Sequence, residues 1–471
     1  MSLPVITVAQ MREWEAATWR SGQTEAEVIR QVGRAVAERI LRLTGPDDFI
    51  LLLAGRGHNG DDVRAAREHL AGRRMELLEV NSPEETLPAL ELALQKNPAL
   101  VVDGLFGIGL NRPLDAAWQK FITRLNAARL RVLAVDIPSG LNADTGETFG
   151  TAIEATVTLT VGAPKRGLLA PSAWPFVGRL EVATGIGLLP CPLQSETLWT
   201  LPGDFAAFPP ARSAASHKGS FGHLAIIAGS VGYHGAAVIA AHGAQRAQPG
   251  LISVFTPEST YHAMAPQLLS VMLKPWTPTE KFATDYSALL IGPGLAAPDL
   301  PGDMKLVARK LWRDALAPIV VDASALDWLP LDPVPKGAIR VITPHPGEAG
   351  RLLKTTPARI QENRPHALRE ISRNFGHCWV VLKGHQTLIG RSTGEIFVNP
   401  SGNPHLAQGG SGDLLAGYLA GFLAQPRLQA DPGKTVRYAV WQHGAAADAL
   451  QARRANWIIE DLATEIGNAL S

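Results

Sequence analysis

Short hydrophobic runs of strand length alternate with helical patterns through the first half of the chain. Five such runs, FILLLAGRG, MELLEV, ALVVDGLFG, RVLAVDIPSG and ATVTLTVG, each end in turn or acidic residues. Apolar positions at helical spacing lie between them and predict helices over Thr24–Leu43, Asp62–Leu70 and Glu84–Gln95. This alternation is typical of a parallel sheet covered by helices. We therefore predict a doubly wound α/β sheet with a ligand crevice at the carboxyl ends of its strands.

The second half repeats this alternation after a break. Its apolar runs are GHLAIIAGS, ALLIGPG, PIVVDASAL, RVITPHPGE, CWVVLKG and EIFVN, and they predict a second α/β domain. Two short segments, Gln386–Gly390 and Glu395–Asn399, predict a strand hairpin before the last helices. Between Gly187 and Ser216 the sequence is rich in proline and serine and has little periodicity, which predicts a domain boundary. We expect domains over residues 1–205 and 213–471.

Composition narrows the classes of function. The 471 residues are 46% hydrophobic and 18% charged, which predicts a soluble globular protein, and the formal net charge of +1 gives no general reason to bind nucleic acid or an anionic membrane. Small-molecule chemistry is favoured. The only two cysteines, Cys191 and Cys378, lack metal-binding or disulfide spacing and predict a reducing, cytoplasmic location. We expect no signal peptide and no membrane span, because the richest apolar run is interrupted by glycine, tyrosine and histidine.

A glycine-rich turn precedes the most apolar helical pattern, in the stretch GNPHLAQGGSGDLLAGYLAGFLAQ. Glycines at Gly409, Gly410 and Gly412 allow successive backbone amides to face one ligand atom. A helix that begins near Ser411 adds its free amides and positive dipole end, so the expected ligand is an anion, most plausibly a phosphate. Asp413 at this junction is either a cap of the helix or a general base. We favour the base.

The motifs upstream of this turn strengthen the interpretation. HKGSFGHLAIIAGS, IGPGL, TPHPGEAGRLL and VVLKGHQTLIG occur in this order, and together they resemble the ribokinase-like superfamily, most closely its NAD(P)H-hydrate dehydratase branch. The resemblance implies three groups of site residues: an anion hole with its base at Gly409, Gly410, Ser411, Gly412 and Asp413, an adenine-nucleotide site at Lys383, Gly384, His385, Gln386 and Thr387, and contacts with the hydrated nicotinamide nucleotide at Ala236, Gly294 and His345. It also implies Mg²⁺ with ADP or ATP as co-substrate. Without the resemblance, PHPGE predicts a helix start, and Lys218 and Lys383 are solvated surface lysines.

The first half carries a second candidate site. The segment LLLAGRGHNGDDVRAAREHL predicts a strand, a glycine-rich turn and a helix, although it lacks the full GxGxxG pattern and is also compatible with an ordinary connection. With VVDGLFGIGLNRPL and VLAVDIPSGLNADTG it resembles the NAD(P)H-hydrate epimerase domain, which has a Rossmann-like fold. The resemblance implies K⁺ ligands at Asn59, Asp103 and Ser139, an acid/base residue at Asp136, and substrate contacts at His58, Asn59, Gly60, Asp61, Asp62, Gly107, Ile108, Gly109, Leu110, Asn111, Arg112 and Pro113. The alternative for Asp103 and Asp136 is that acids at strand ends cap the next turn.

Two positions depart from the pattern of that family. The usual Asn-Asn-Gly-Gly-Asp has His58 in place of the first asparagine and Asp61 in place of the second glycine, and Val28–Gly33 departs from the usual Met-Glu-x-Ala-Gly. A carboxylate at Asp61 repels a substrate phosphate unless it points away, binds a cation or pairs with Arg56 or Arg64.

Both resemblances lead to one substrate. Together they imply a bifunctional repair enzyme that interconverts the R and S hydrates of NADH and NADPH and dehydrates the S hydrate with an adenine nucleotide, ADP being expected. One alternative is a kinase of vitamin precursors, and another is a first half that binds nucleotide without catalysis. The expected partners are these small molecules, without nucleic acid or membrane, and we expect a homo-oligomer.

Overall fold

The computed structural model describes residues 2–298 and 300–468, which form two compact units. The first unit is Leu3–Ser195, and the second contains Ser2 and the chain from Glu196 onward. The predicted first domain, residues 1–205, therefore extends too far. The reason is that Thr197–Trp199 forms a strand beside Ile396–Val398, and Phe205 is fully buried in the core of the second unit.

The first unit alternates strands and helices as predicted, with additional elements at its start, middle and end. Its elements are β1 (Leu3–Pro4), α1 (Val8–Arg20), α2 (Glu25–Leu43), β2 (Ile50–Ala54), α3 (His58–Glu68), β3 (Met75–Glu79), α4 (Pro83–Gln95), β4 (Leu100–Gly104), α5 (Ala116–Ala127), β5 (Val132–Val135), β6 (Val157–Val161), α6 (Trp174–Val177) and β7 (Arg179–Ala183). The sequence patterns did not predict α1, α5 or β7.

The sheet of the first unit is entirely parallel, with the order β3-β2-β4-β5-β6-β7. The direction in which successive strands are added to the sheet reverses between β2 and β4, and such a switch point opens a crevice at the carboxyl ends of the two strands. The predicted doubly wound fold is confirmed. The predicted start of a helix at Asp62 is wrong, because α3 already begins at His58 and the segment His58–Asp62 is its first turn.

Helix α2 shows why this unit packs tightly beside the crevice. Thr24 caps its first turn, and Val28, Val32, Val36 and Ile40 form one buried face. On the same face, a Cβ at Gly33 would lie only 2.5 Å from the Ala65 side chain in α3. The glycine of the departing segment Val28–Gly33 therefore permits the close contact between α2 and the helix that follows β2.

The second unit is a larger α/β structure. Its elements are β8 (Thr197–Trp199), β9 (His223–Ile227), α7 (His234–Ala247), β10 (Leu251–Thr256), α8 (Glu258–Met264), β11 (Met272–Pro275), α9 (Phe282–Asp285), β12 (Ala288–Ile291), α10 (Gly302–Asp314), β13 (Ile319–Val321), β14 (Arg340–Ile342), α11 (Pro346–Leu352), α12 (Pro357–Glu362), α13 (Arg364–Asn374), β15 (Trp379–Leu382), β16 (Leu388–Gly390), β17 (Ile396–Val398), α14 (Ser411–Leu423), α15 (Pro432–Arg453) and α16 (Ile459–Glu465).

The sheet of the second unit has the order β8-β17-β16-β15-β14-β13-β12-β9-β10-β11. The strands from β11 to β15 are parallel, whereas β16 pairs antiparallel with both β15 and β17. The predicted hairpin is thus confirmed. The carboxyl ends of β9, β12, β13, β14 and β15 lie along one edge of the sheet, and this edge carries the second candidate site.

Helix α14 is apolar because it is enclosed by protein. Most of its residues are buried, and it packs against α7, α15 and the middle of the sheet. Side chains at Gly417 and Gly421 would overlap α7, so these glycines allow the two helix backbones to approach closely. Among the described residues, no helix is both long and apolar enough to cross a membrane.

Candidate active sites

The structure of the first unit brings together the three residues predicted to bind a cation. Ser139 donates its backbone N–H to Asp103 Oδ2 at 2.8 Å and its hydroxyl to Asp103 Oδ1 at 2.6 Å. Asn59 Nδ2 donates to the carbonyl oxygen of Phe106 at 2.9 Å, and the Ser139 hydroxyl lies 3.3 Å from the same oxygen. Burial raises the pKa of Asp103 to about 6, although its hydrogen bonds oppose this shift.

The residues present fit a monovalent cation. The Asn59 Oδ1 atom is buried and has no hydrogen-bond partner within residues 2–298 and 300–468. An unsatisfied buried oxygen is costly, and a bound cation or water relieves that cost. Amide, hydroxyl, carbonyl and carboxylate oxygens suit a hard cation. The described residues contain no group of three or more His, Cys, Asp or Glu side chains that could hold a metal ion, so the fit rests on mixed oxygen donors.

Asp136 is held in an unusual conformation beside a buried lysine. Its φ of 61° lies in the left-handed region, and it directly follows β5. Its Oδ1 atom accepts hydrogen bonds from Lys165 Nζ at 2.5 Å, the Thr160 hydroxyl at 3.1 Å and the Val161 backbone N–H at 3.1 Å. These contacts come from outside the turn after β5, so Asp136 is not a local cap. Lys165, which lies in the loop after β6, was not predicted from the sequence.

A second group of carboxyls surrounds this pair. Asp62 is buried, and its pKa is raised well above the usual value by burial and then by the negative charge of Asp136, with smaller contributions from Asp61 and Glu15. The pKa of Glu15 is also raised, mainly by burial, while Lys165 opposes the shift. Beside the carboxylate paired with a lysine there are therefore two carboxyls, Asp62 and Glu15, whose pKa values are raised mainly by burial.

The two family departures have local partners. Asp61 pairs with Arg64 at 2.8 Å, and Arg64 also donates to the Gly55 carbonyl oxygen at 2.7 Å. Pairing with a base was one of the possibilities raised by the sequence. His58 Nε2 lies 2.9 Å from Glu25 Oε1, with its ring largely exposed. Between them, a side chain at Gly60 would overlap the Gly55 carbonyl, which explains the glycine there.

The predicted phosphate-binding segment, residues 107–113, is a loop after β4. Its first residues are half-buried, and Ile108 packs against the cluster of Ile6, Met11 and Trp14. Asn111, Arg112 and Pro113 are exposed. The loop and the first turn of α3 follow the two strands of the switch point, so both lie at the crevice.

In the second unit, the glycine-rich turn begins α14 as predicted. The helix starts at Ser411, and its cap residue Gly410 has a φ of 94°, which favours glycine. A Cβ at Gly410 would lie 2.8 Å from the Ile239 side chain. Asp413 lies in the first turn of this helix.

Asp413 lies in a strongly acidic environment. Burial is the main cause that raises its pKa to about 7, and the negative charges of Asp322 and Glu348 raise it further, while Lys383 lowers it. A carboxyl with this pKa changes protonation near neutral pH, as a general base requires. The sequence analysis did not assign roles to Asp322 or Glu348, although the runs VVDAS and PHPGE contain them.

Lys383 is not a surface lysine. Its Nζ lies 2.8 Å from Asp322 Oδ1 and 3.8 Å from Glu348 Oε2. The loop that follows, predicted to line the adenine site, has Gly384 at φ 129° and is held from behind by the buried Arg364. Arg364 donates to the carbonyl oxygens of Leu382 at 3.1 Å and His385 at 2.5 Å.

His345 combines a structural contact with an exposed ring. It caps α11, since its Nδ1 accepts the backbone N–H of Gly347 at 3.0 Å while Glu348 Oε2 accepts the His345 N–H at 2.8 Å. PHPGE is therefore a helix start, as the pattern also suggested. The other two predicted substrate residues are neighbours, because a Cβ at Gly294 would lie 3.1 Å from that of Ala236.

A buried histidine supports the glycine-rich turn. His443 in α15 is removed from solvent, and burial lowers its pKa to about 4, which keeps the imidazole neutral. A hydrogen bond to the backbone of Ser411 opposes that shift. Its Nε2 atom has no hydrogen-bond partner in the described part of the chain. No glycine or charge pattern distinguished His443 in the sequence.

Both halves of the chain match known proteins. The family model described as NAD(P)H-hydrate dehydratase matches residues 224–471, and the model described as YjeF-related protein N-terminus matches residues 75–167. The bifunctional NAD(P)H-hydrate repair enzyme of Gloeobacter violaceus is 34% identical and covers 95% of this chain and 94% of its own length. The corresponding enzyme of Coxiella burnetii is also 34% identical, with 93% of each chain covered.

The second unit also resembles a solved structure. The ADP/ATP-dependent NAD(P)H-hydrate dehydratase from Bacillus subtilis, co-crystallised with ATP and Mg²⁺, has a TM-score of 0.51 and 30% identity. It matches 57% of this chain and 96% of its own chain. The chain matches both family models, and its second unit has the ribokinase-like architecture. This protein therefore belongs to the family of bifunctional NAD(P)H-hydrate repair enzymes.

Proposed function

We propose that the first unit epimerises hydrated NADH and NADPH and that the second unit dehydrates the S hydrate with an adenine nucleotide. The observation that carries this proposal is Asp413, a carboxyl with a pKa of about 7 in the first turn of a helix that begins with a glycine-rich turn. Such a turn favours phosphate, and such a carboxyl removes a proton from a hydroxyl. The epimerase assignment is supported by Asp136 and by the oxygen cluster around Asn59.

In the first unit, we assign proton transfer to Asp136. The substrate carbon bears both a ring nitrogen and a hydroxyl group, so it loses hydroxide to form an iminium and regains it on either face. The protonated carboxyl of Asp136 gives its proton to the departing hydroxide, which leaves as water, and the resulting carboxylate takes a proton back from the water that adds to the iminium. Lys165 and the Thr160 hydroxyl fix one carboxylate oxygen, so the side chain keeps one orientation through both steps.

For potassium, we assign Asn59, Asp103 and Ser139 as ligands. The support is the orphaned Asn59 Oδ1 and the Asp103–Ser139 hydrogen bonds beside it. When bound, a monovalent cation supplies positive charge for an anionic substrate. The residues of this chain then position the phosphates, through Gly107, Ile108, Gly109, Leu110, Asn111, Arg112 and Pro113 and through the backbone of His58, Gly60, Asp61 and Asp62 in the first turn of α3.

In the second unit, we assign dehydration to phosphoryl transfer followed by loss of phosphate. Asp413 removes the proton from the substrate hydroxyl, and the backbone amides of Gly409, Gly410, Ser411 and Gly412 stabilise the transferred group. Hydroxide is a poor leaving group and phosphate is a better one, so phosphorylation lets the hydroxyl oxygen leave as phosphate, and consumption of a phosphoanhydride bond of the nucleotide makes the repair irreversible. Ala236, Gly294 and His345 hold the nicotinamide nucleotide, and the backbone of residues 383–387 holds the adenine nucleotide.

We assign Mg²⁺ to the nucleotide phosphates and ADP as the preferred donor. Magnesium commonly binds through substrate phosphates and water with few protein ligands. This agrees with the absence, among residues 2–298 and 300–468, of a group of three or more potential metal-binding side chains. The test of the donor is dehydration with ADP and with ATP, each with and without Mg²⁺, using vitamin precursors as the control substrate for a simple kinase.

We also propose a reducing compartment, the cytoplasm, and a homo-oligomeric assembly. The first rests on two cysteines that are both free, of which Cys378 is buried with its pKa raised to about 12. The assembly is tested by light scattering coupled to size-exclusion chromatography of the full chain. A monomer at working concentration would contradict it.

A further inference from the structure

The side chain of Lys383 lies next to Gly412 in the glycine-rich turn. Its backbone begins the loop assigned to the adenine nucleotide, but its Nζ lies 2.8 Å from Asp322 Oδ1 and 3.8 Å from Glu348 Oε2. A Cβ at Gly412 would lie 3.2 Å from the same Nζ. The lysine side chain is only 19% exposed. The ammonium group is therefore close to the residue that precedes Asp413 in α14.

The carboxylate that holds Lys383 is itself firmly placed. Asp322 follows β13, and its side chain is 2% exposed. Its Oδ1 atom accepts hydrogen bonds from both Lys383 Nζ and the Thr343 hydroxyl, the latter at 2.6 Å. Thr343 follows β14, and the Lys383 N–H donates to the carbonyl of Pro344 at 2.9 Å. Three neighbouring strand ends thus fix the position of one ammonium group.

The titratable groups near Asp413 come from four elements. Asp322 after β13 and Glu348 in α11 are acidic, whereas Lys383 after β15 is the cation that acts on Asp413. His443 in α15 is neutral because of burial. Without Lys383, Asp413 would face two carboxylates and, among the described residues, no cation that lowers its pKa, which disfavours its ionised form.

We propose that Lys383 is a positioning residue for the general base: its ammonium group keeps Asp413 ionised and directs it toward the substrate hydroxyl, while the loop backbone binds the adenine. This inference rests on the proposed role of Asp413. The family resemblance implies one nucleotide-binding role for all of residues 383–387. The proposal gives the side chain of Lys383 a different role from that of this backbone. The buried guanidinium of Arg364 holds that backbone from the opposite side.

The test compares Lys383→Met with Lys383→Arg and with Lys305→Met, an exposed lysine in α10 of the same unit. For each full-length variant, kcat and KM for the nucleotide and the hydrate are measured across pH. We expect Lys383→Met to lower kcat at neutral pH by about 10- to 100-fold, within the range of general-base effects. The acidic limb of the pH profile of kcat for Lys383→Met should move to higher pH, while the KM for the nucleotide should change little. Lys383→Arg should retain the wild-type profile in part, and Lys305→Met should match the wild type.

A second variant separates this role from a loss of folding. Asp322→Asn removes a negative charge that raises the pKa of Asp413, so its acidic limb should move to lower pH, opposite to that of Lys383→Met. A higher KM for the nucleotide with an unchanged profile in Lys383→Met would overturn the proposal and make Lys383 a nucleotide ligand. The proposal would also be overturned if Lys383→Met and Asp322→Asn had the same pH profile of kcat. If the wild type does not dehydrate the hydrate at all, the proposed function itself fails.

Discussion

Lys165 and Asp136 form an ion pair of 2.5 Å in which the lysine side chain is fully buried. The remaining donors of the ammonium group are directed to the Thr160 hydroxyl at 3.2 Å and the Val161 carbonyl at 2.7 Å. A buried ammonium that is satisfied in this way fixes the position of the carboxylate beside it. The pair therefore connects the stability of the first unit to its chemistry.

We predict that Lys165→Met lowers epimerisation and destabilises the first unit, because Asp136 would remain buried without its partner. Breaking a buried pair by removing one member costs about 3 to 5 kcal/mol. Thermal unfolding and interconversion of the two hydrate epimers measure the two effects. The double variant Lys165→Met with Asp136→Asn should recover much of the stability but none of the activity. Full epimerisation by Lys165→Met would contradict the role of the pair.

Asp413→Asn should nearly abolish dehydration while epimerisation continues. Loss of a general base costs about 100- to 10,000-fold in rate. In the wild type, a base with a pKa of about 7 must be ionised, so the rate should rise with pH through that value and then level off. The measurement is the dehydration rate of the S hydrate across pH. Most of the activity surviving in Asp413→Asn would show that Asp413 is not the base.

The raised pKa of Asp413 also predicts how the stability of the folded protein changes with pH, in the direction opposite to the change in rate. The pKa of Asp413 is raised from 3.8 to about 7 in the folded protein, so its ionised form is disfavoured there. The folded state therefore loses stability as pH rises between these two values. Asp413→Asn should raise the melting temperature above neutral pH and leave it nearly unchanged below the lower value. An equal effect at both ends would contradict the assigned environment.

Potassium should stabilise the first unit through Asn59. We expect KCl, compared with choline chloride at equal ionic strength, to raise its melting temperature and its epimerisation rate, because a cation satisfies the buried Asn59 Oδ1. Asn59→Ala should lose both responses, whereas Asn81→Ala, an exposed asparagine of the same unit, should keep them. A melting temperature of the wild type that is identical in both salts would contradict a potassium site.

Asp61→Asn should have little effect on epimerisation. The carboxylate pairs with Arg64 at 2.8 Å and is partly exposed, and exposed ion pairs contribute only about 0 to 1 kcal/mol. The KM for the hydrate should therefore change by less than about threefold and show little dependence on salt. A large decrease in KM that disappears at high salt would show instead that Asp61 repels the substrate phosphates.

The alternation of strands and helices was predictable because buried parallel strands are short apolar runs, and β2, β4, β5, β9 and β13 all follow this rule. The start of α3 was not predictable, because the composition of HNGDD is typical of a turn. The local sequence does not show that these residues form the first helical turn beside Gly55. The boundary between the units falls inside the predicted segment Gly187–Ser216, but its place before β8 was not predictable, because β8 acquires its partner β17 only from a distant part of the chain.

The site residues divide in the same way. Asp413 could be proposed from its place after a glycine-rich turn, and Asp103 and Asp136 from motifs that resemble the epimerase family. Lys165, Asp322 and His443 have roles that depend on which elements pack together. Burial converts an ordinary lysine into a fixed counterion and an ordinary histidine into a neutral support. No local pattern distinguishes these residues from solvated or core ones.

The most direct test of the account uses mixed NADH hydrates with the full-length protein, ADP or ATP, and Mg²⁺. The return of the dihydropyridine absorbance is followed for the wild type, Asp413→Asn and Asp136→Asn. We predict complete recovery of the absorbance with the wild type and almost none with Asp413→Asn. With Asp136→Asn, recovery should be limited to the S hydrate present at the start and to the S hydrate that forms spontaneously from the R hydrate. No recovery by the wild type with either nucleotide would contradict the central claim.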